Sequence, residues 1–172
     1  MRRESGPRRS VIARLGPYWL RADLDVQGAL LRIQPLTEPP AFRGGEGTGP
    51  VAAEVRTRLE QVLSRPLGPL RLPRGPAPTP FQQRLRTALL AIPPGQVQTY
   101  GALARAMGTS ARAIGAGCRA NPLPVAVPCH RVVSARGFGG FAGAVAGPLH
   151  AFKIWLLRHE HQLAHGTPLE ME

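Results

Sequence analysis

The sequence predicts a mixed α/β (α+β) fold: a small N-terminal sheet-plus-helix domain, then a mostly helical domain of helix-turn-helix, winged-helix-like type. Three observations predict it. Strand-like segments with turn breaks fill residues 10–36, a proline-rich stretch interrupts the chain at 64–78, and beyond it apolar residues recur at helical spacing. At 172 residues and 43% hydrophobic content the chain can bury a real core, which excludes a disordered basic tail. It lacks an apolar run of about 18 residues, so no membrane-spanning helix is expected. Two cysteines cannot build a disulfide framework, and the basic start MRRESGPRRS has no apolar segment behind it. A cytoplasmic protein with free thiols is expected.

Residues 1–9 read as a flexible tail, and 10–63 as the N-terminal α/β domain. Its strands are SVIARLG, PYWLRADL and GALLRIQPL, broken at Gly16-Pro17 and near Gly28. Residues 38–50 are a loop by their Pro and Gly content, and Val51 to Leu63 is a helix with Val55, Leu59, Val62 and Leu63 on one face. Residues 64–78 carry too many prolines for a helix or central strand and read as a linker. The second domain spans 79–165. Thr79-Pro80 starts a helix whose Leu85, Leu89 and Ile92 share a face, and IPPG ends it. Tyr100 to Met107 is a short helix with Leu103, Ala104 and Met107 inward. Gly108 to Ser110 is a tight turn with a Ser cap, and Ala111 to Ala120 is the second short helix, stopped by Asn121-Pro122. That pair is the helix-turn-helix pattern. PVAVPCHRVV, 124–133, is a buried apolar stretch, 136–147 a glycine-rich loop, 149–165 a last helix with Phe152, Trp155, Leu156 and Leu163 as its core stripe, and 166–172 a tail.

Charge is distributed unevenly. Residues 61–159 contain no carboxylate side chain but hold eleven arginines and Lys153, which equals the whole net charge of +12. Composition bias explains arginine over lysine, but not 99 residues without an acid. The pattern reads as a polyanion-binding half beside a balanced half, and nucleic acid is the expected polyanion. Arg112 and Arg119 lie on one face of the second short helix, and Arg105 sits on the first.

Cys129-His130 is the sharpest chemical feature. A thiol becomes a nucleophile when a base or a positive field makes it a thiolate, and an adjacent histidine can be that base if an acceptor orients it. Glu160 is the first acid after the bare stretch; it is either that acceptor or an ordinary helix-end charge. Cys118 reads as a small packed residue, His159, His161 and His165 as surface histidines rather than metal ligands, and the glycine-rich loop as a lid or close-packed backbone.

NPLPVAVPCHRVV closely resembles the active-site signature of the O6-alkylguanine-DNA alkyltransferases. The similarity runs from about Thr79 to Glu160. TPFQQRLRTALLAIPPGQVQTYGALA resembles the family's lead-in helix and first helix of the helix-turn-helix, ARAIGAGCRANP its recognition helix and Asn hinge, and GFAGAV and KIWLLRHE its lid and terminal helix. LGPYWLRAD and GALLRIQ fit more faintly. The sequence departs from the family at Arg86, where tryptophan is usual, at the short Gly108–Ser110 turn, at Ala144 in the lid, and in an inserted AGPLHAF at 146–152.

The resemblance implies that 79–165 is an alkyltransferase domain in which Cys129 accepts the alkyl group, once and irreversibly. His130 would act as base through a water, Glu160 would orient His130, Asn121 would hold the hinge, and Tyr100 would help protonate the leaving guanine. Arg112 would fill the stack vacated by the flipped nucleotide, with Thr99, Tyr100, Ala111, Gly115 and Arg119 also on the DNA. Pro124, Val132, Phe141, Ala142 and Gly143 would line the pocket. No metal and no cofactor is implied. The partner is double-stranded DNA containing O6-alkylguanine, approached from the minor groove with little sequence preference, and a monomer is expected. Competing readings are a base-flipping lesion binder that transfers nothing, a helix-turn-helix regulator, and a cysteine hydrolase, for which no oxyanion hole is visible.

Overall fold

The computed structural model describes residues 9–41, 47–61 and 72–170. Most of the expected N-terminal tail, the middle of the 38–50 loop, residues 62–63 of the first helix, much of the 64–78 linker and the last two residues lie outside the described residues. The fold is mixed α/β.

β1 (Arg9–Leu15), β2 (Tyr18–Leu24) and β3 (Leu30–Leu36) form an antiparallel meander in that order. Side chains alternate across a strand, so the register places Val11, Ala22 and Ile33 in one inward row and Ala13 and Leu20 in the next. Gly16 makes the β1–β2 turn with φ +60 and Pro17 follows it, a pairing that suits a two-residue hairpin. α1 (Pro50–Gln61) covers the β1 edge, burying Ala52, Val55 and Leu59, and Arg56 Nε donates to the Ile12 carbonyl at 3.0 Å.

The opposite edge is not free. Leu30 N donates to Pro73 O, Gly75 N to Leu30 O, and Ile33 N to Pro122 O, so the backbone of the second half extends the pairing of β3. Residues 73–75 of the expected linker therefore run beside the sheet. Arg86 Nη1 holds the Gly75 carbonyl at 2.8 Å, which gives this departure from the family pattern a structural task. Tyr18 packs edge-on against Phe152 and beside Trp155, and a Cβ on Gly16 would collide with the Trp155 ring. Both halves contribute to one continuous hydrophobic cluster.

α2 (Pro80–Leu90) starts at Thr79, whose hydroxyl accepts from Gln82 N, with Pro80 in the first turn where its missing N–H costs nothing. α3 (Tyr100–Met107) ends at Gly108 in the left-handed region, and Ser110 caps α4 (Ala111–Arg119) by accepting from Ala113 N. Gly117 lets α4 sit directly on α2: a Cβ there would run into Leu85 and come within 3.0 Å of Phe81. Met107, expected inward, is only half-buried; Leu103 and Ala104 are buried.

The stretch 124–133 is buried but is not one extended segment. Turns close it at Val127 N to Leu123 O and Cys129 N to Val127 O, and Cys129–Arg131 form a 3-10 turn. Prolines 122, 124 and 128 remove the donors a ladder needs. Only β5 (Val132–Val133) is a strand, paired in parallel with β4 (Gln98–Thr99). α5 (Pro148–His165) closes the domain with Phe152, Leu156 and Leu157 buried; Trp155 and Leu163, expected in the stripe, are partly exposed.

Candidate active site

Cys129 opens the 3-10 turn beside a cavity of about 310 Å³. Tyr100 from α3, Cys118 and Arg119 from α4, and the turn around Phe141 share the lining with it. The thiol is 6% exposed. Burial pushes it above the usual thiol range, against the Asn121 amide, the Lys153 charge and its own backbone N–H, all of which favour the thiolate. The resting group is therefore a thiol that needs a base.

His130 follows directly, and the tight turn sends its ring inward to full burial. Its Nε2 meets Glu160 Oε1 at 2.9 Å. Arg131, next in the chain, grips the same carboxylate with Nε on Oε2 at 2.9 Å and Nη2 on Oε1 at 2.8 Å, and its Nη1 donates to Ile92 O at 2.7 Å. Glu160 is 3% exposed. Burial alone would raise its carboxyl; His130 and Arg131 outweigh that and hold it at about 2. The site thus has a carboxylate charged at any ordinary pH, fixed by a guanidinium and bonded to one imidazole nitrogen. The other, His130 Nδ1, is buried with no hydrogen-bond partner among the described residues. It is the nitrogen left to exchange a proton.

Asn121 joins α4 to this turn. Its Nδ2 donates to Val127 O at 2.9 Å and its Oδ1 accepts from Leu123 N at 3.1 Å. Val125, between them, is held at φ 73, where a β-branched residue is strained. Tyr100 OH donates to Gly140 O at 3.4 Å, and burial raises the phenol to about 12, so it stays protonated at neutral pH.

The other expected residues divide. Gly115, Arg119, Phe141, Ala142 and Gly143 line the cavity. Pro124 and Val132 do not: both side chains are packed inside, and Val132 contributes its carbonyl instead, to Lys153. Thr99 caps α3 and pairs with Val133. Ala111 and Arg112 are exposed on the first turn of α4, outside the cavity. The three C-terminal histidines lie along α5: His159 stacks on Trp155, and His161 packs against His165, which meets Gly95 O at 3.2 Å.

The sequence reading missed Arg131, Lys153, Cys118 and His150. Lys153 is fully buried on α5; its Nζ donates to Val132 O at 2.7 Å and Gly140 O at 3.0 Å, and burial lowers it to about 8. A lysine between Phe152 and Leu156, inside an apolar stripe, was the available signal. His150, on the inserted segment, meets Gly139 O at 3.0 Å. No charge pattern marks it.

Residues 80–162 match the family model described as the DNA-binding domain of 6-O-methylguanine DNA methyltransferase. A methylated-DNA–protein-cysteine methyltransferase of Salmonella typhimurium is 50% identical over 88 residues, 49% of this chain and 48% of that protein. The chain thus spans about half the length of this relative. A DNA base-flipping protein of Thermus thermophilus is 38% identical over 159 residues, 87% of this chain and 96% of that one. Among solved structures, the O6-methylguanine methyltransferase of Mycobacterium tuberculosis aligns with a TM-score of 0.73 at 24% identity over 95% of this chain and 97% of that one. A structure of that organism's OGT in complex with DNA aligns at 0.67 and 28% identity, over 91% and 93%. With a signature turn, a helix-turn-helix and nearly end-to-end similarity to a relative at that identity, the chain belongs to the 6-O-methylguanine DNA methyltransferase family.

Proposed function

We propose that this protein repairs DNA by direct reversal: it flips an O6-alkylguanine out of the duplex and moves the alkyl group irreversibly onto Cys129. The observation that carries the reading is a cavity-facing thiol followed in sequence by a histidine whose far nitrogen is held by a buried carboxylate. A lesion inside a duplex is out of reach of a buried thiol, so the base must leave the stack.

Each group then has a task. His130 Nδ1 takes the Cys129 proton through a bridging water, and Glu160 stabilises the imidazolium from the opposite side. The sulfur attacks the alkyl carbon, a C–S bond forms, and the C–O bond breaks with its electron pair on the guanine. Tyr100, kept protonated by burial, supplies a proton to the departing base. Asn121 and Lys153 favour the developing thiolate. The thioether is stable and nothing in the site cleaves it, so each molecule acts once.

Small residues on α4, Ala111 and Gly115, permit close approach to the DNA, which favours the minor groove with little base readout. Arg112 is exposed at the start of α4, where it can occupy the vacated stack. A monomer suffices, because one chain supplies thiol, base, carboxylate and helix. A reducing cytoplasm is the compartment that preserves the thiols. Among the described residues no helix is long and apolar enough to cross a membrane.

A second reading is lesion binding without transfer, favoured by the nearly full-length similarity to a base-flipping protein. Mass analysis after mixing with duplex O6-methylguanine decides between them. Transfer adds one methyl to the Cys129 peptide. Unmodified protein bound selectively to the lesion supports the second reading. Cys129→Ala should abolish transfer and keep DNA binding; loss of both would make the cysteine structural.

A further inference from the structure

One wall of the cavity is largely bare backbone, with Gly139, Gly140 and Gly143 in it. Glycine has more backbone states open to it than any other residue, and Gly139 and Gly143 sit at φ +68 and +87. Such a lid keeps one shape only where contacts from outside hold it. Gly140 is held through its carbonyl, by Lys153 Nζ at 3.0 Å and Tyr100 OH at 3.4 Å. Phe141 is anchored by a buried ring that packs edge-on against Phe152, and it exchanges 2.8 Å hydrogen bonds with Ala144. Gly139 has no side chain and takes no part in those bonds. Its carbonyl meets His150 Nε2 at 3.0 Å.

A carbonyl only accepts, so Nε2 of His150 carries the proton. The donor stands in the first turn of α5, on the inserted segment, and buried Phe152 and Lys153 fix the helix just beyond it. A group mounted on a packed helix holds a loop more precisely than the loop holds itself. Gly139 in turn lies against Tyr100: a Cβ there would sit 3.0 Å from the ring Cε2 and 3.1 Å from Ser134 N. The next carbonyl along, that of Gly140, is the one the Tyr100 hydroxyl bonds. Fixing Gly139 therefore fixes the backbone on which the phenol rests.

We propose that His150 is a positioning residue for transfer: by holding the Gly139 carbonyl it keeps the lid against the Tyr100 ring, and so keeps the phenol where it meets the leaving base. His150 does not line the cavity, so its effect passes through Gly139. The consequence for transfer rests on the reading above; the hold on the lid does not.

The test uses the full chain and two readouts. Amide hydrogen exchange in the peptide covering 138–145 reads the lid. Single-turnover transfer from duplex O6-methylguanine, followed by the mass of the Cys129 peptide over a range of DNA concentrations, separates the limiting rate from the half-saturating concentration. A neutral hydrogen bond shifts an equilibrium by about three- to tenfold. His150→Phe keeps a ring of similar size and removes the donor. It should speed exchange and lower the limiting rate, each by about three- to tenfold on that scale. The half-saturating DNA concentration should stay within about twofold of wild type, because in this reading α4 holds the duplex. His150→Gln, whose side-chain amide donates, should restore both quantities. The two must move together: a Phe variant that melts like the wild type and changes neither, or one without the other, overturns the proposal, as does a Gln variant as impaired as the Phe variant. If the Phe variant does not fold, His150→Ala takes its place under the same criteria. A wild-type protein that binds the duplex and transfers nothing overturns the transfer reading, and the exchange measurement still decides whether His150 holds the lid.

Discussion

Glu160 shows how much one residue can depend on its neighbours. In the sequence it is an acid near the end of a helix. In the fold it is buried, bonded to His130 and clasped by Arg131. Removing one partner of such a pair leaves a buried charge uncompensated, so Glu160→Gln should cost about 3–5 kcal/mol in denaturant unfolding; a loss below about 1 kcal/mol would mean the carboxylate is not holding the turn. The same pair sets an acid response. The Glu160 carboxyl is depressed to about 2, below its unfolded value near 4.5. Its stabilisation is therefore complete above the unfolded value and is lost as pH falls from there toward 2. Urea midpoints between pH 5 and 2 should fall for the wild type and flatten in the Gln variant.

At the scale of elements, capping and spacing were legible because they are local. Thr79, Ser110 and Gly108 act within one turn of their own helix, and the start of α2, the end of α3 and the start of α4 follow from them. The segment holding Cys129 was less legible. Its apolar run reads as buried, but does not show how its prolines break it into turns that set Cys129 at the cavity and His130 in the core. Gly117 carried no sequence signal of its importance beyond being glycine in a helix. Gly117→Val forces α4 off α2 and should destabilise the fold by about 1–3 kcal/mol, read as a lowered melting temperature; an unchanged melt would show that the helices can separate freely. Arg112 is exposed on α4, the helix proposed to meet DNA, and lies outside the cavity. Arg112→Ala should slow repair in duplex more than reaction with a free guanine-type pseudosubstrate, and equal slowing would remove it from the flipping step.

Across the whole molecule the missing acids gain a physical sense. Residues 61–159 are bare of carboxylates, so this half attracts phosphate throughout, and the acid that ends the stretch is withdrawn from the surface into the pair with Arg131 and His130. DNA affinity should fall with salt along a log–log slope steeper than about −3, since each phosphate contact releases counterions; a slope near zero would sink the polyanion argument. The N-terminal half is not a loosely attached neighbour. β3 bonds Pro122, next to Asn121, and Tyr18 packs on α5.

The sequence by itself determined the family, the Cys129-His130 pair and the helix-turn-helix, because each is written in adjacent residues or in one helical period. It did not determine the company those residues keep. His130 and Glu160 are 30 positions apart. Whether they meet depends on how α5 packs against the 3-10 turn. Lys153 and Cys118 look like a charge and a filler until the fold brings one under the lid and the other into the cavity wall. Pro124 and Val132 go the opposite way, from expected lining to core. Local chemistry is encoded in short windows; the direction in which a side chain points is settled only when distant elements compete for the same space.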